Sequence, residues 1–192
     1  MKLLIASDIH GSAHWCQKLI ERFHAESEGF APGEVRLLLL GDLLYHGPRN
    51  DLPRDYAPKK VIPMLSALAP KILAVRGNCE AEVDQMVLSF PVMADYAVLT
   101  PGGRTVYATH GHVWNGTTPP PLCAGDVLLS GHTHVPLCEQ KELGDGRSFF
   151  ALNPGSTSIP KNGSAHSFMV WDDSGVRWLD LESGDCCMRW EG

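Results

Sequence analysis

The stretch Val35-Arg36-Leu37-Leu38-Leu39-Leu40-Gly41-Asp42 decides how the rest of the chain is interpreted. Its four consecutive leucines show no alternation of apolar and polar residues, which is typical of a strand buried on both faces in a sheet covered by helices. The run is short and stops at a glycine, which favours a strand over buried helix. Asp42 then falls at the rim of the sheet, where open α/β sheets bind ligands. On this stretch alone, Asp42 is either an active-site carboxylate or a turn residue.

Two other apolar segments in the first half end in the same way. The apolar pattern of residues 2–7 predicts a strand that is followed by Asp8-Ile9-His10. The pattern of residues 71–75 predicts a strand that is followed by Arg76-Gly77-Asn78. Apolar residues at helical spacing predict a helix over residues 13–28, and weaker patterns predict helices over 58–68 and 81–88. This order of elements implies parallel strands joined by right-handed crossovers.

After Pro91 the segments become short and are joined by turn residues. We interpret them as hairpins of a second, largely antiparallel sheet. A helix-rich first half and a strand-rich second half predict two sheets packed face to face with helices outside, in a single domain spanning residues 1–192. The predicted strands of this half cover residues 94–99, 104–109, 127–130, 136–143, 148–152, 166–171 and 176–181.

Composition excludes several classes of protein. With 192 residues, 44% hydrophobic and 20% charged, the chain can form a full core and is not disordered. It has no apolar stretch of the roughly 20 residues that span a membrane, and Asp8 interrupts the first apolar run too early for a signal peptide, so we expect a cytoplasmic protein. Six cysteines without a C-x-x-C pair indicate free thiols. The net charge of −6 argues against a general nucleic-acid-binding surface.

Polar side chains that can bind metal follow the predicted strands. Singly, each has an ordinary explanation as a turn residue or a satisfied polar pair, but their number makes coincidence the weaker account. A carboxylate can bridge two ions, while neutral imidazoles and an amide oxygen hold borderline metals. Two ions roughly 3.5–4 Å apart can clamp a phosphoryl group. The set is Asp8, His10, Asp42, Asn78, His110, His132 and His134.

These residues carry a family resemblance. Asp8-x-His10, Gly41-Asp42, Gly77-Asn78, His110-Gly111-His112 and Gly131-His132-x-His134 resemble, in order, the five motifs of the calcineurin-like metallophosphoesterases. The segments 41–50, 76–79 and 153–156 are further similar to the small bacterial YfcE-type phosphodiesterases. The resemblance implies a four-layer α/β/β/α sandwich of two packed mixed sheets with helices outside.

The resemblance also implies a role for each motif residue. Asp8, His10 and His134 would hold one metal ion, Asn78, His110 and His132 would hold the other, and Asp42 would bridge them. The ions would most commonly be Mn²⁺, with Zn²⁺, Fe²⁺, Co²⁺ or Ni²⁺ as alternatives, and a metal-bound hydroxide would attack a small phosphodiester in line. Catalysis is thus assigned to Asp42, Asn78 and His110 through that hydroxide.

The chain departs from the wider superfamily in two places. Cys79 stands where most members have a histidine that contacts substrate and helps to protonate the leaving group. A thiol is a poor substitute for that role, so we expect a bias toward phosphodiesters over monoesters. The loop after Asp42 also lacks the Gly-Asp-x-x-Asp-Arg-Gly pattern of protein phosphatases. This difference argues against a protein phosphatase. We assign substrate contacts to Cys79, His46, Arg49 and Arg76, although Cys79 could be merely a small packed residue, His46 could be a plain loop residue and Arg76 could pair with Glu80 or Asp84.

Two alternatives remain at this point. A protein-interaction scaffold on the same fold, similar to the retromer subunit Vps29, would have lost part of the ligand set, whereas all seven positions are filled here. A nuclease would be expected to show a basic groove and a further domain. Residues 114–122, with Pro119-Pro120-Pro121, carry no signature of a particular substrate, and exposed strand edges leave homo-oligomerisation open.

Overall fold

Eleven strands form two mixed sheets in the computed structural model, which describes residues 1–192. Three helices are α1 (Ala13–Glu26), α2 (Pro58–Ser66) and α3 (Glu82–Val87), and short 3₁₀ helices span Ala69–Lys71 and Pro101–Gly103. The strands are β1 (Lys2–Ala6), β2 (Val35–Leu39), β3 (Ile72–Ala74), β4 (Tyr96–Leu99), β5 (Val106–Thr109), β6 (Val127–Leu129), β7 (Pro136–Glu142), β8 (Ser148–Pro154), β9 (Ser167–Asp172), β10 (Gly175–Asp180) and β11 (Cys186–Trp190).

The leucine run forms β2 and is buried on both faces, as predicted. Leu37 and Leu39 belong to the core between the first sheet and the helices, whereas Leu38 and Leu40 belong to the core between the two sheets. Strand β2 pairs in parallel with β1 on one side and with β3 on the other. A strand in this central position has no solvated face, which explains why its sequence does not alternate.

Helices α1 and α2 cover the outer face of the first sheet. Ser12 caps α1 by accepting a hydrogen bond from the Trp15 amide, and Trp15, Leu19 and Phe23 form part of the helix's buried stripe. The helix begins where the sequence predicts and ends two residues earlier than the predicted Glu28, at Glu26. On α2, Val61 and Leu65 contribute to the same core.

The second sheet corrects the prediction of a largely antiparallel arrangement. Its strand order is β4-β5-β6-β8-β7, and the pairs β5/β6 and β6/β8 are parallel. The prediction also placed β9 and β10 in this sheet, but β9 pairs with β1 and extends the first sheet through β10 and β11. The reason lies in the run Phe168-Met169-Val170, which is buried throughout and therefore fits a central strand rather than a hairpin with one solvated face. Strand β11 was not predicted.

The sandwich places the carboxyl ends of β1, β2, β3, β5 and β6 along one rim. On the outer face of the second sheet, Leu122 of a long loop packs with Leu128, Phe149 and Ala151. The mixed sheets and the outer helices on the first sheet agree with the predicted sandwich. None of the helices has the length and apolar character needed to cross a membrane.

Candidate metal centre and substrate cleft

The structure brings all seven predicted metal ligands together at this rim. Each lies in the turn directly after a strand: Asp8 and His10 after β1, Asp42 after β2, Asn78 after β3, His110 after β5, and His132 and His134 after β6. Because parallel strands share the direction of their carboxyl ends, residues far apart in the chain meet at one point.

The first group of side chains is compact and buried. Asp8 Oδ1 lies 3.5 Å from His10 Nε2 and 3.2 Å from His134 Nε2, and the two imidazole nitrogens are 3.3 Å apart. Asp8 Oδ1 itself makes no hydrogen bond of good geometry although it is fully buried. A buried carboxylate oxygen without a hydrogen bond needs another partner.

Asp42 joins this group to a second one. Its Oδ2 lies 3.7 Å from His10 Nε2, whereas its Oδ1 lies 3.5 Å from His110 Nε2. His110 Nε2 is in turn 3.1 Å from Asn78 Oδ1 and 3.2 Å from His132 Nδ1. The two oxygens of one carboxylate therefore face the two groups separately, which is the geometry of a bridging ligand.

The histidine tautomers aim lone pairs at the centre. The Nδ1 atoms of His10, His110 and His134 donate to the carbonyl oxygens of Tyr45, Leu40 and Ile159, at 2.8, 2.6 and 2.6 Å. In each neutral ring Nε2 then presents a lone pair, and lone pairs as close as those of His10 and His134 repel unless a cation lies between them. Carbonyl contacts of this kind are the usual second-layer support of metal-binding histidines. The residues present therefore fit divalent metal ions.

Electrostatics keep Asp8 ionised. Burial alone disfavours its charged form, but without a metal ion the Nε2–H groups of His10 and His134 face the carboxylate and, with a further contribution from His110, outweigh burial and hold the pKa of Asp8 well below its usual range. A bound cation would take their place. The carboxylate is thus deprotonated, as metal binding requires.

Backbone strain is concentrated in the same residues. Seven residues other than glycine have positive φ, and five of them are predicted ligands: Asp8, His10, Asp42, His132 and His134. The left-handed conformation costs such a residue on the order of 1–3 kcal/mol and persists where surrounding contacts impose it, commonly at functional sites.

The glycines of the motifs are required by close approach. A Cβ on Gly77 would lie 2.1 Å from Asp42 Oδ1, and one on Gly131 would lie 1.9 Å from Ser7 Oγ. The turns after neighbouring strands pack so tightly at the rim that a side chain at either position would displace a ligand or its support.

Glu80 is a supporting residue that the sequence did not identify in this role. Its buried carboxylate accepts hydrogen bonds from the amides of Asp42 (2.8 Å), Leu43 (2.7 Å) and Gly77. It thereby fixes the turns that carry two predicted ligands, Asp42 and Asn78. Burial raises the pKa of Glu80, against the three amide hydrogen bonds that favour its charged form. A single acidic residue near a motif gives no sequence signal for this function.

Two serines support the turn after β1. The hydroxyls of Ser156 and Ser158 each donate to the Asp8 carbonyl at 3.0 Å, and Asn153 donates to the Gly131 carbonyl at 2.7 Å. The sequence indicates residues 153–156 through their similarity to the YfcE-type phosphodiesterases and predicts a tight turn at the rim of the site. The hydrogen bonds from these side chains to the turns that carry the predicted ligands come from the structure.

The cleft over the centre has a volume of about 470 Å³. Of the predicted substrate contacts, Arg49 and Cys79 line it, and so does Lys161, which the sequence did not single out. Cys79 donates its amide to Asp42 Oδ1 at 2.9 Å. Burial, and then the charge of Asp42, raises the pKa of the Cys79 thiol above its usual value.

The other two predicted substrate residues lie elsewhere. The His46 ring sits between the rings of Tyr45 and Tyr56 and does not line the cleft. Arg76 lines a neighbouring cavity that also contains His110 and His112. Arg76 makes no ion pair with Glu80 or Asp84, the alternative partners weighed from the sequence.

Comparison with known proteins defines the class. Residues 1–174 match the model of the calcineurin-like phosphoesterase superfamily domain, and the chain belongs to that superfamily. It is therefore a phosphoesterase, of a family that implies divalent metal ions.

Within the superfamily, the chain is 45% identical over 173 residues to phosphodiesterase YfcE of Escherichia coli K12, covering 90% of this chain and 88% of that protein. A solved structure of YfcE, described as a phosphoesterase from E. coli, superposes with a TM-score of 0.90 at 40% identity, over 100% of this chain and 99% of that one. A solved structure of Vps29 from Entamoeba histolytica, complexed with zinc, has a TM-score of 0.52 at 21% identity, over 100% of this chain and 99% of that one, and shows the fold alone.

Proposed function

We propose that this phosphoesterase hydrolyses small phosphodiesters with the aid of two divalent metal ions. The observation that carries the proposal is the arrangement of Asp42, whose two oxygens face two separate groups of ligand side chains. The similarity to a protein named phosphodiesterase YfcE supports the choice of a diester substrate.

Each group of side chains would hold one ion. Asp8, His10 and His134 surround the first position, Asn78, His110 and His132 surround the second, and Asp42 would bridge them. Nitrogen and oxygen donors of this kind suit Mn²⁺, with Zn²⁺, Fe²⁺, Co²⁺ or Ni²⁺ as alternatives. When bound, two such ions supply a water of lowered pKa and neutralise charge on phosphoryl oxygens.

The chain's own residues orient the substrate. Arg49 and Lys161 line the cleft and offer positive charge to the phosphoryl oxygens, which the acidic remainder of the chain would repel. Cys79 occupies the place beside Asp42 where an imidazole could donate a proton. Because the thiol is a poor proton donor, the leaving group must depart without much help from that position, which favours diesters with good leaving groups.

We favour the enzyme over the scaffold alternative because all seven predicted ligand positions are filled and converge. We propose a single domain of residues 1–192 and a cytoplasmic location, for which the six unpaired cysteines are a supporting observation. The acidic net charge gives no support for nucleic acid as a partner.

The test is hydrolysis of bis(p-nitrophenyl) phosphate and of p-nitrophenyl phosphate, after chelation and again after adding Mn²⁺. We expect activity that returns with the metal and is stronger on the diester. Faster metal-dependent hydrolysis of the monoester than of the diester would agree with the metal centre but refute the preference for diesters. No activity with Mn²⁺, Zn²⁺, Fe²⁺, Co²⁺ or Ni²⁺ would refute an enzymatic function and favour the protein-interaction scaffold.

A further inference from the structure

A cavity beside the metal centre leads away from His110. It has a volume of about 260 Å³, and its walls include His110 itself, Arg76 and Trp114. Thr109, the last residue of β5, also lines it. This cavity therefore begins at a predicted metal ligand and extends toward the outer face of the second sheet.

A second cavity, which we call the aromatic cavity, continues from there. Its volume is about 250 Å³, and it shares Thr109 and Trp114 with the first. Such a volume is below the roughly 300–1,000 Å³ of sites that enclose a whole drug-sized ligand, so the aromatic cavity suits one planar ring system of a larger ligand. It is lined by Tyr96, Tyr107, Thr109, Trp114, Pro120 and Pro121.

The sheet determines one wall of the aromatic cavity. Tyr96 lies opposite Thr109 in the β4/β5 ladder, and both share the outer face with Tyr107. Their neighbours Val106 and Ala108 point the other way, into the core between the sheets. Because side chains alternate along a strand, the tyrosines lie on the outer face of the second sheet, while the residues between them pack into the core and hold the strand in place.

Hydrogen bonds hold the opposite wall in place. Thr109 Oγ1 donates to the Trp114 carbonyl at 3.0 Å, and Asn115 Nδ2 donates to the Gly111 carbonyl at 3.2 Å. Asn115 Oδ1 also accepts from the amides of Thr117 and Thr118. These hydrogen bonds hold the loop so that Trp114 faces the cavity. Trp114 remains 41% exposed and Tyr96 58% exposed.

Large aromatic side chains exposed around a cavity indicate a binding surface. We propose that the aromatic cavity receives the base of a nucleotide phosphodiester whose phosphoryl group lies at the metal centre, with Arg76 between them. This inference rests on the proposed function and names its substrate class.

Distance and chemistry both favour a base at this position. Thr109 immediately precedes His110, and Tyr107 lies three residues before it, so at about 3.4 Å per residue the cavity extends to roughly 10 Å from the ligand along the strand. A ribose spans a gap of that kind between a phosphate and a base. Aromatic side chains bind bases by stacking. The intervening cavity offers the guanidinium of Arg76 and the carboxylate of Asp95 as polar partners for the part of the ligand between phosphate and base.

The experiment compares two ligands that differ only in the base. Adenosine 5′-monophosphate and ribose 5-phosphate are titrated calorimetrically into the Mn²⁺-loaded protein. We expect the nucleotide to bind at least about tenfold more tightly, within the range that stacking on one aromatic residue supplies. Trp114→Ala should remove this difference while leaving the affinity for ribose 5-phosphate unchanged.

Two variants separate stacking from a general structural effect. Trp114→Phe keeps an aromatic face and should restore most of the preference for the nucleotide. Phe30→Ala removes an exposed aromatic ring that lies against Lys2, in a cavity apart from the centre, and should leave both affinities unchanged.

Several results would overturn the inference. Equal binding of the two ligands to a protein that hydrolyses bis(p-nitrophenyl) phosphate would refute the aromatic subsite and leave the proposed function standing. Failure of both ligands to bind, together with no metal-dependent hydrolysis, would refute the proposed function itself. Trp114→Ala could instead change the mass of the assembly measured by sedimentation and leave the preference for the nucleotide unchanged. That result would show that the aromatic cavity is part of an interface between copies of the chain and would refute the base site.

Discussion

At the scale of single residues, Glu80 determines where Asp42 lies. Its two carboxylate oxygens accept three amide hydrogen bonds, from Asp42, Leu43 and Gly77. A glutamine has one acceptor oxygen and one NH₂ group, so it would set a donor against a backbone donor. Glu80→Gln should therefore lower the free energy of unfolding by about 1–3 kcal/mol and weaken Mn²⁺ binding by about 10–100-fold.

Thermal unfolding and Mn²⁺ titration check this prediction. Glu82→Gln is the matched control, because Glu82 is exposed on α3 and accepts no hydrogen bond from the ligand turns. Unchanged Mn²⁺ affinity in Glu80→Gln would show that the carboxylate does not position the centre.

Cys79 stands where the family resemblance leads us to expect a histidine. Its amide is bound to Asp42, and its thiol lines the cleft, so Cys79→His would place an imidazole over the site. An imidazolium would offer positive charge to the doubly charged phosphoryl group of a monoester, so hydrolysis of p-nitrophenyl phosphate should rise relative to that of the singly charged diester, by about 10²-fold. Measurement of kcat/KM for both substrates checks this, with Cys123→His as a control at an exposed cysteine. An unchanged ratio for Cys79→His would refute the interpretation of the thiol.

The residues of the candidate metal centre could be singled out from the sequence because each follows an apolar run, whereas most of their supports could not. Asp8, Asp42 and Asn78 are found by counting to the end of a strand. Lys161 belongs to a segment whose sequence shows no periodicity, and its proximity to the centre depends on how β8 and β9 pack. Physical position in the sheet, not local pattern, decides such roles.

At the scale of elements, the turn after β3 is placed by contact with the turn after β2. A Cβ on Gly77 would meet Asp42 Oδ1 at 2.1 Å and the Asp42 amide nitrogen at 2.6 Å. Gly77→Ala must therefore shift one turn, and a displacement of about 1 Å at a catalytic group can cost on the order of 10²-fold in rate. We expect a loss of that size in kcat/KM for the diester.

A control for Gly77→Ala is Gly144→Ala. Gly144 has a φ of +78° in a turn with open space around it, so alanine there strains the backbone without touching the rim. It should lower stability and leave kcat/KM unchanged. If Gly77→Ala retains wild-type activity, the two turns are not coupled as the structure indicates.

The elements themselves were predicted unevenly. The central strand β2 was identified as buried on both faces because four consecutive leucines leave no position for a solvated face. Strand β11 was missed, since Cys186-Cys187-Met188-Arg189-Trp190 has neither a clean alternation nor a continuous apolar run and is mostly exposed. Edge strands carry weak patterns because only part of one face is buried.

At the scale of the molecule, the return of β9 to the first sheet ties the two ends of the sequence together. Ile5 of β1 pairs with Met169 of β9, and both belong to the core between the sheets. This pairing could not be predicted, because hairpin-like spacing after Pro91 suits pairing within either sheet. Its consequence is that neither half of the chain contains a complete core.

We therefore expect one cooperative unfolding transition for the whole chain, in agreement with a single domain. The transitions followed by circular dichroism and by tryptophan fluorescence should coincide in urea. Limited proteolysis should give no stable fragment ending near residue 91. Two separate transitions, or a folded fragment of residues 1–91, would contradict a single domain.

The central claim is that two metal ions sharing Asp42 support hydrolysis of a phosphodiester. The most direct test is stepwise titration of the chelated protein with Mn²⁺ while hydrolysis of bis(p-nitrophenyl) phosphate is followed. The account predicts little activity up to about one ion per chain and a steep rise as the second ion binds. Full activity at one ion per chain, or activity that survives chelation, would contradict it.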